Sequence, residues 1–451
     1  MKFTAPLAAF LGLVGLASVS WAQPATPPPD RYLVVRCGTL MDVPGKPPKK
    51  NATLIVKNGV VDRVVEGPAP DLANETKAGA TVTTLDLSNQ FVLPGLIDCH
   101  VHITNQWDAS VRTRMVTDDA ADTAVRGVAY ARTTLAAGFT TVRDVGAMGT
   151  TAFAVRDAIE RGEIPGPRVI AAGEAISVTG GHGDPTNNFR ADLSGLQSAG
   201  VADGVDGCRH AVREQIKRGA DVIKLTSTGG VLSASSAGLA LHFFEDELKA
   251  IVETAHKMGR KVAAHAHGTD GINAAHRAGV DSIEHGTYLD DESVTLFKKG
   301  GAYLVPTLLA GATVAANADV PGYYLPMVAR KAKEVGPKMM DMFRKAHSAG
   351  VKIAFGTDSG VSNHGENAKE FALMVEGGMT PTEAIVAATV SAADLIGISS
   401  QVGTLEPGKA ADIISVSADP TKDVTELSRV RMVIKGGRVF LENGQDVWGR
   451  K

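Results

Sequence analysis

Pro94-Gly95-Leu96-Ile97-Asp98-Cys99-His100-Val101-His102 is an apolar run that closes on two histidines two positions apart. Side chains two apart on a strand share a face, so both imidazoles can reach one metal ion. Working outward, 91–99 is the first of eight apolar, strand-like segments, followed by 140–144, 168–172, 221–226, 261–266, 281–284, 302–306 and 352–357. Between them, stretches such as 245–258 and 380–396 carry apolar residues at helical spacing. Eight alternating βα units predict an α/β fold, a parallel (β/α)8 TIM barrel over 93–401, with its site where the strands end.

Outside that unit the pattern changes. Segments 31–35, 52–57 and 60–65, and again 412–416, 430–434 and 438–441, are short β-branched runs divided by turns such as Asn58-Gly59 and Gly436-Gly437. The shared grammar predicts one small β-sandwich domain built from both chain ends, 31–92 and 402–446. A chain of 451 residues is long enough for a barrel and this companion. At its start, Lys2, an apolar stretch over 5–16 and Ser20-Trp21-Ala22 read as a signal peptide spanning 1–22, with a linker over 23–30. That stretch is shorter than the ~20 residues a membrane span needs. A periplasmic or secreted protein is expected, without a membrane partner once the signal is removed. A formal net charge of −3 and no basic run argue against nucleic acid as a partner. Cys37, Cys99 and Cys208 are too few and too scattered for a disulfide framework or a thiolate zinc site.

The polar residues fall at the ends of the expected strands. In Asp221-Val222-Ile223-Lys224-Leu225-Thr226 the alternation turns Lys224 inward, where an unpaired ammonium costs several kcal/mol and must be paired or neutralised. A neutral lysine can take up carbon dioxide as a carbamate able to bridge two metal ions; pairing with an inward Asp is the alternative. His265-Ala266-His267 again places two histidines on one face, Glu284-His285-Gly286 adds another, and Gly356-Thr357-Asp358-Ser359 adds a carboxylate. Nitrogen and oxygen donors without thiolates suit Zn2+, or Mn2+ or Co2+. His182, in Gly180-Gly181-His182-Gly183, falls in the loop after the third strand. The other histidines, His210, His242, His256, His276, His347 and His364, are expected in surface or packing roles.

These motifs, with Gly403-Thr404-Leu405-Glu406-Pro407-Gly408-Lys409-Ala410-Ala411-Asp412, resemble the amidohydrolase superfamily over about 31–441. Gly180-Gly181-His182-Gly183 and the His265/His267 pair are similar to the branch holding Xaa-Pro dipeptidases, imidazolonepropionase-like proteins and ochratoxin-type amidohydrolases. The resemblance implies two divalent metal ions, with His100, His102 and Asp358 on one, His265 and His285 on the other, and Lys224, as N6-carboxylysine, bridging them. Asp358 is then the catalytic base, and His267 and His182 contact the substrate and its developing oxyanion. The implied reaction is cleavage of an amide that releases a C-terminal amino acid, from a dipeptide, an N-acyl amino acid or an ochratoxin-like compound. Cyclic-amide or lactone hydrolysis or deamination on the same metals is the alternative, and a metal-stabilised binding protein without turnover is a third reading. A homo-oligomer is expected. Arg143, Arg190 and Arg330 are candidates for holding a substrate carboxylate, and 318–338 reads either as a flap or as a helical insertion.

Overall fold

The structure, a computed structural model, describes residues 28–190, 192–193, 196–235 and 238–449. The expected signal peptide and the first part of the linker lie outside the described residues. Strands β1 (Arg31–Leu40), β2 (Lys49–Lys57) and β3 (Val60–Glu66) form an antiparallel meander. Asn58 and Gly59, at φ 53° and 84°, supply the two positive φ values that a tight hairpin between twisted strands requires. Strand β4 (Thr81–Pro94) runs parallel to β1. Its first half is threonine-rich and mostly exposed, which hides it from an apolar-run reading.

The single strand expected over 91–99 is two strands. Residues 91–94 stay in β4, and β5 (Leu96–Val101) begins after Gly95 in a different sheet. A Cβ at Gly95 would lie 2.1 Å from Thr140 Oγ1, so the chain can cross there only as glycine. Next come β6 (Phe139–Asp144), β7 (Arg168–Ala171), β8 (Val222–Thr226), β9 (Lys261–Ala266), β10 (Ser282–His285) and β11 (Tyr303–Val305). Strands β5 to β7 form one parallel sheet and β8 to β11 another. Single parallel bridges join them: Ile176 to Leu225, Leu304 to Ile353, and Val101 to Ser359. The eighth expected strand, 352–357, is therefore not a full ladder. Its backbone is held from both sides, by Leu304 N to Lys352 O at 2.9 Å and by Cys99 N to Phe355 O at 2.9 Å.

The helix Glu245–Lys257 shows what ties the helices to these strands. Leu248, Ile251, Val252 and Ala255 recur at helical spacing and are buried, each large side chain contributing about 1.5–3 kcal/mol. Three acidic residues occupy its first turn and His256 and Lys257 its last, matching the helix dipole. Gly219, Gly279 and Gly301, at φ 115°, 94° and 72°, end their helices left-handed and turn the chain into the next strand.

The last strands, β12 (Ile413–Val416), β13 (Met432–Lys435), β14 (Arg438–Glu442) and β15 (Gln445–Asp446), return to the first sheet through β12 beside β4. The order is β15-β14-β13-β12-β4-β1-β2-β3. What was expected as a sandwich is thus one continuous sheet of eight strands, because the long β4 is shared by both groups. The sheet curls until its turns meet: Val60 bridges Ala410, and a Cβ on Gly59 would fall 2.5 Å from Gly436 O. Leu33, Val35, Leu54, Val56, Ile413 and Ile434 fill the inside of the curl. All three cysteines are free and buried, and no described helix is long and apolar enough to cross a membrane.

Candidate metal centre

Alternation along the parallel strands decides which side chains converge. In β8, Ile223 and Leu225 join the main core while Lys224 points the other way; in β9, Ala264 and Ala266 do the same and leave His265 on the opposite face. His100, Lys224, His265, His267, His285 and Asp358 are all buried, between 1% and 8% exposed. The imidazoles pack closely: His265 lies 4.7 Å from His285, His267 lies 4.9 Å from His285, His100 lies 5.0 Å from His285, and His182 lies 4.2 Å from His265, centroid to centroid. His285 and Asp358 take left-handed backbone angles, φ 69° and 57°, which cost on the order of 1–3 kcal/mol each. Asp358 is held there by its amide donating to His100 O at 2.7 Å.

Partners behind the histidines fix their tautomers. His100 Nδ1 donates to Glu284 Oε2 at 2.8 Å, and His102 Nδ1 donates to Gly146 O at 2.7 Å. In the neutral ring, as burial makes His100, Nε2 therefore carries a lone pair aimed inward. His267 Nδ1 is 2.7 Å from Thr287 Oγ1, and His285 Nδ1 is 2.7 Å from Thr307 Oγ1. Burial alone would raise the Glu284 carboxyl, but the Arg143 charge at 2.8 Å and the His100 hydrogen bond hold it down at about 2. Burial pushes His100 down to about 4 and both His182 and His267 to about 3, so these rings are neutral at pH 7.

This donor set fits metal ions. Asp358 Oδ1 sits 3.2 Å from His102 Nε2 and 3.5 Å from His100 Nε2, yet it is buried without a hydrogen bond. Lone-pair-bearing atoms such as His100 Nε2 and Asp358 Oδ1 facing one another in a buried space repel unless a cation lies among them. The same need for positive charge shows in His102, where burial works to lower the ring but Asp358 outweighs it and raises it above the ordinary histidine value. The ligand atoms of His100, His285 and Asp358 lie within 4.8 Å of one another, as do those of His265, His267 and His285. Lys224 makes no hydrogen bond or ion pair among the described residues, and burial brings its amine down to about 8. A cavity of about 450 Å³ opens onto these groups, walled by apolar side chains that include Trp107, Met115, Met148, Leu232, Val335 and Met339, together with the charged Arg114, Asp118, Arg126 and Glu174.

The model of the amidohydrolase family matches residues 91–440. The chain belongs to the amidohydrolase family. It is accordingly a hydrolase of amide bonds. Ochratoxinase of Aspergillus niger is 35% identical over 445 residues, covering 93% of this amidohydrolase and 88% of the relative. A crystal structure of a Xaa-Pro dipeptidase with bound methionine in the active site superposes with a TM-score of 0.86 at 39% identity, covering 91% of this chain and all (100%) of that one. A prolidase complexed with N-methylphosphonate-L-proline superposes with a TM-score of 0.81 at 30% identity, covering 91% of this chain and 100% of that one.

The amidohydrolase thus gathers all eight residues singled out from its sequence, with differences in grouping. His267 is as close to His285 as His265 is, and His285 belongs to both sets of converging ligand atoms, whereas His102 reaches the centre through Asp358. The arginine candidates do not face the cavity. Arg143 is 1% exposed and spent on Glu284, Ser282 Oγ and Cys99 O; Arg190 is exposed and paired with Asp192; Arg330 is exposed on a helix. Segment 318–338 is a helical insertion, since the helix Pro326–Ser348 supplies Val335 and Met339 to the cavity wall. His364, assigned by default to the surface or packing, is buried beside the site, stacked on Tyr130 at 4.7 Å. Sequence reasoning missed Glu284, Thr287 and Thr307 as partners of the histidines. Glu284 adjoins His285 in a motif already quoted, and an acid beside an inward histidine was the signal available.

Proposed function

We propose that this protein is a binuclear metal-dependent amidohydrolase that cleaves an amide to release a C-terminal amino acid from dipeptides, N-acyl amino acids or ochratoxin-like amides. The observation that carries this reading is Asp358 Oδ1, buried and unbonded at the meeting point of inward-facing imidazoles beside an unpaired Lys224. His100, His102 and Asp358 would hold one ion, His265 and His285 the other, with Lys224 as N6-carboxylysine between them; zinc suits these donors. Within the same reading, the bridged parallel sheets are one closed (β/α)8 barrel over 93–401 beside a β domain of 31–92 and 402–446. The protein is exported to the periplasm or beyond after loss of residues 1–22, and it assembles with copies of itself.

When bound, two divalent ions polarise the amide carbonyl and bring a water to ionise near neutral pH. Burial works to raise the Asp358 carboxyl, but the positive charge that His100, His102 and Lys224 can carry beside it outweighs burial and keeps it below the ordinary aspartate range. It is therefore ionised at neutral pH, able to accept a proton from the attacking water and deliver it to the leaving nitrogen. His182 Nδ1 is buried without a partner and free to hydrogen-bond the acyl oxygen. His267 can donate from Nε2 when the Thr287 hydroxyl donates to its Nδ1. The apolar wall of the cavity favours apolar or proline leaving residues over acidic ones. Incubation with a panel of N-acyl amino acids, dipeptides and cyclic amides, read by mass spectrometry, tests the reading. Release of Phe, Leu or Pro is expected; turnover confined to cyclic amides, or faster release of Asp or Glu, would overturn it.

A further inference from the structure

The hydroxyl of Thr307 is wanted in two places, and a buried acid frees it for one of them. Thr307 is the N-cap of the helix Leu308–Asn317, where a threonine ordinarily turns its hydroxyl onto the first amides of its own helix. Here the side chain makes no capping bond, and its Oγ1 lies 2.7 Å from His285 Nδ1. With Nδ1 engaged there, Nε2 is the nitrogen that His285 can offer an ion. The amides left open are taken by Glu370, on the helix Lys369–Glu376: its Oε1 accepts from Leu308 N at 2.8 Å and its Oε2 from Leu309 N at 2.6 Å.

Glu370 and Thr307 are both 0% exposed, and Glu370 pairs with no cation among the described residues. Burial lifts the Glu370 carboxyl to about 8 against the pull of the two amides, and its oxygens keep acceptor capacity with or without a proton. Thr307 holds a left-handed backbone, φ 50°, which a β-branched residue keeps only where its surroundings fix it. The hydrogen bonds from the two residues directly after it supply that hold. Glu370 therefore sets where the Thr307 hydroxyl sits, and through it how the His285 ring is turned. Three positions earlier, Asn367 Nδ2 donates to Asp98 Oδ2 at 2.8 Å, and Asp98 Oδ1 accepts from His100 N at 3.0 Å. The stretch from Asn367 to Glu370 thus stands behind one ligand of each ion.

We propose that Glu370 is a positioning residue for the ion assigned to His265 and His285, acting through the Thr307 hydroxyl. This rests on the two-ion reading above. Metal-loaded wild type is compared with Thr307→Val, Thr307→Ser, Glu370→Gln, Glu370→Asp and the double variant Thr307→Val with Glu370→Gln. Each is titrated with a chromogenic zinc chelator, and circular dichroism reports folding. Thr307→Val keeps the shape without the hydroxyl and is expected to weaken one ion on the order of 10- to 100-fold, with most of the affinity restored in Thr307→Ser. Glutamine offers the two amides one acceptor in place of two, so Glu370→Gln is expected to weaken one ion and leave the other near its wild-type affinity. The double variant should be no worse than Thr307→Val alone, because both changes act through one hydroxyl. Losses that multiply in the double variant, equal weakening of both ions, or unchanged affinity in Glu370→Gln would each overturn the proposal. If Glu370→Gln does not fold, Glu370→Asp decides, since it keeps both oxygens on a shorter stem: selective weakening of one ion supports the proposal, and wild-type affinity for both overturns it. If wild type itself holds fewer than two ions, the two-ion reading fails instead.

Discussion

Glu284→Gln tests the partner network behind the histidines. Glu284 and Arg143 are 0% and 1% exposed and pair at 2.8 Å, and Ser282 Oγ also donates to the same carboxylate. Glutamine keeps the volume and one acceptor for His100 Nδ1, so what is lost is charge rather than shape. Removing one member of a buried pair leaves the other uncompensated, which costs about 3–5 kcal/mol. Arg143→Met should cost a similar amount for the mirror-image reason. The double variant buries no charge, so it should be less destabilised than the sum of the singles by at least about 2 kcal/mol. Urea unfolding of the metal-free proteins, followed by circular dichroism, measures all three, because bound metal would add its own stabilisation. The wild-type contribution should persist at mild acidity: the Glu284 carboxyl is held at about 2, below its ordinary 4.5, so its stabilisation is full above 4.5 and lost only as pH falls toward 2. Singles within about 0.5 kcal/mol of wild type, or costs that simply add, would refute the reasoning.

Lys224→Ala should lose metal and activity together and regain part of both with added short carboxylates, whereas Lys224→Arg should regain neither, because a guanidinium stays charged; metal analysis with and without acetate or propionate decides this. His276 is half-buried, packed on Phe297 at 4.1 Å with its Nε2 inaccessible and unpartnered, and burial lowers it from 6.5 to about 4. Its contribution to stability is full above 6.5 and lost as pH falls toward 4, so His276→Leu should flatten the decline of the unfolding midpoint across that window. Gly230→Ala should displace His182, since the new Cβ would fall 2.2 Å from its ring, and lower kcat about tenfold or more while the chain still folds; steady-state kinetics beside a thermal melt checks both.

Strand alternation made the centre legible in sequence. Lys224, His265 and His285 sit where a period of two places them, and the two-apart histidines share a face as expected. What alternation could not convey is which sheet a run belongs to: 91–99 reads as one strand because nothing in its apolarity marks the crossing at Gly95, which depends on Thr140, forty-five positions away. Arg143 was misread for a related reason. Its place on an inward strand face is the same for a substrate contact and for a buried ion pair, and only the position of Glu284 distinguishes the two. Trp107 carries no local signal at all, since it lies in a loop that only folding brings to the cavity. The threonine-rich start of β4 shows the converse limit, a strand held by pairing with β1 rather than by burial.

Metal content per chain, measured by inductively coupled plasma mass spectrometry on protein purified without chelator, tests the central claim most directly. Two divalent ions per chain are predicted, one for His100, His102 and Asp358 and one for His265 and His285, as assigned above. A single ion per chain, or none after incubation with zinc, would contradict the account.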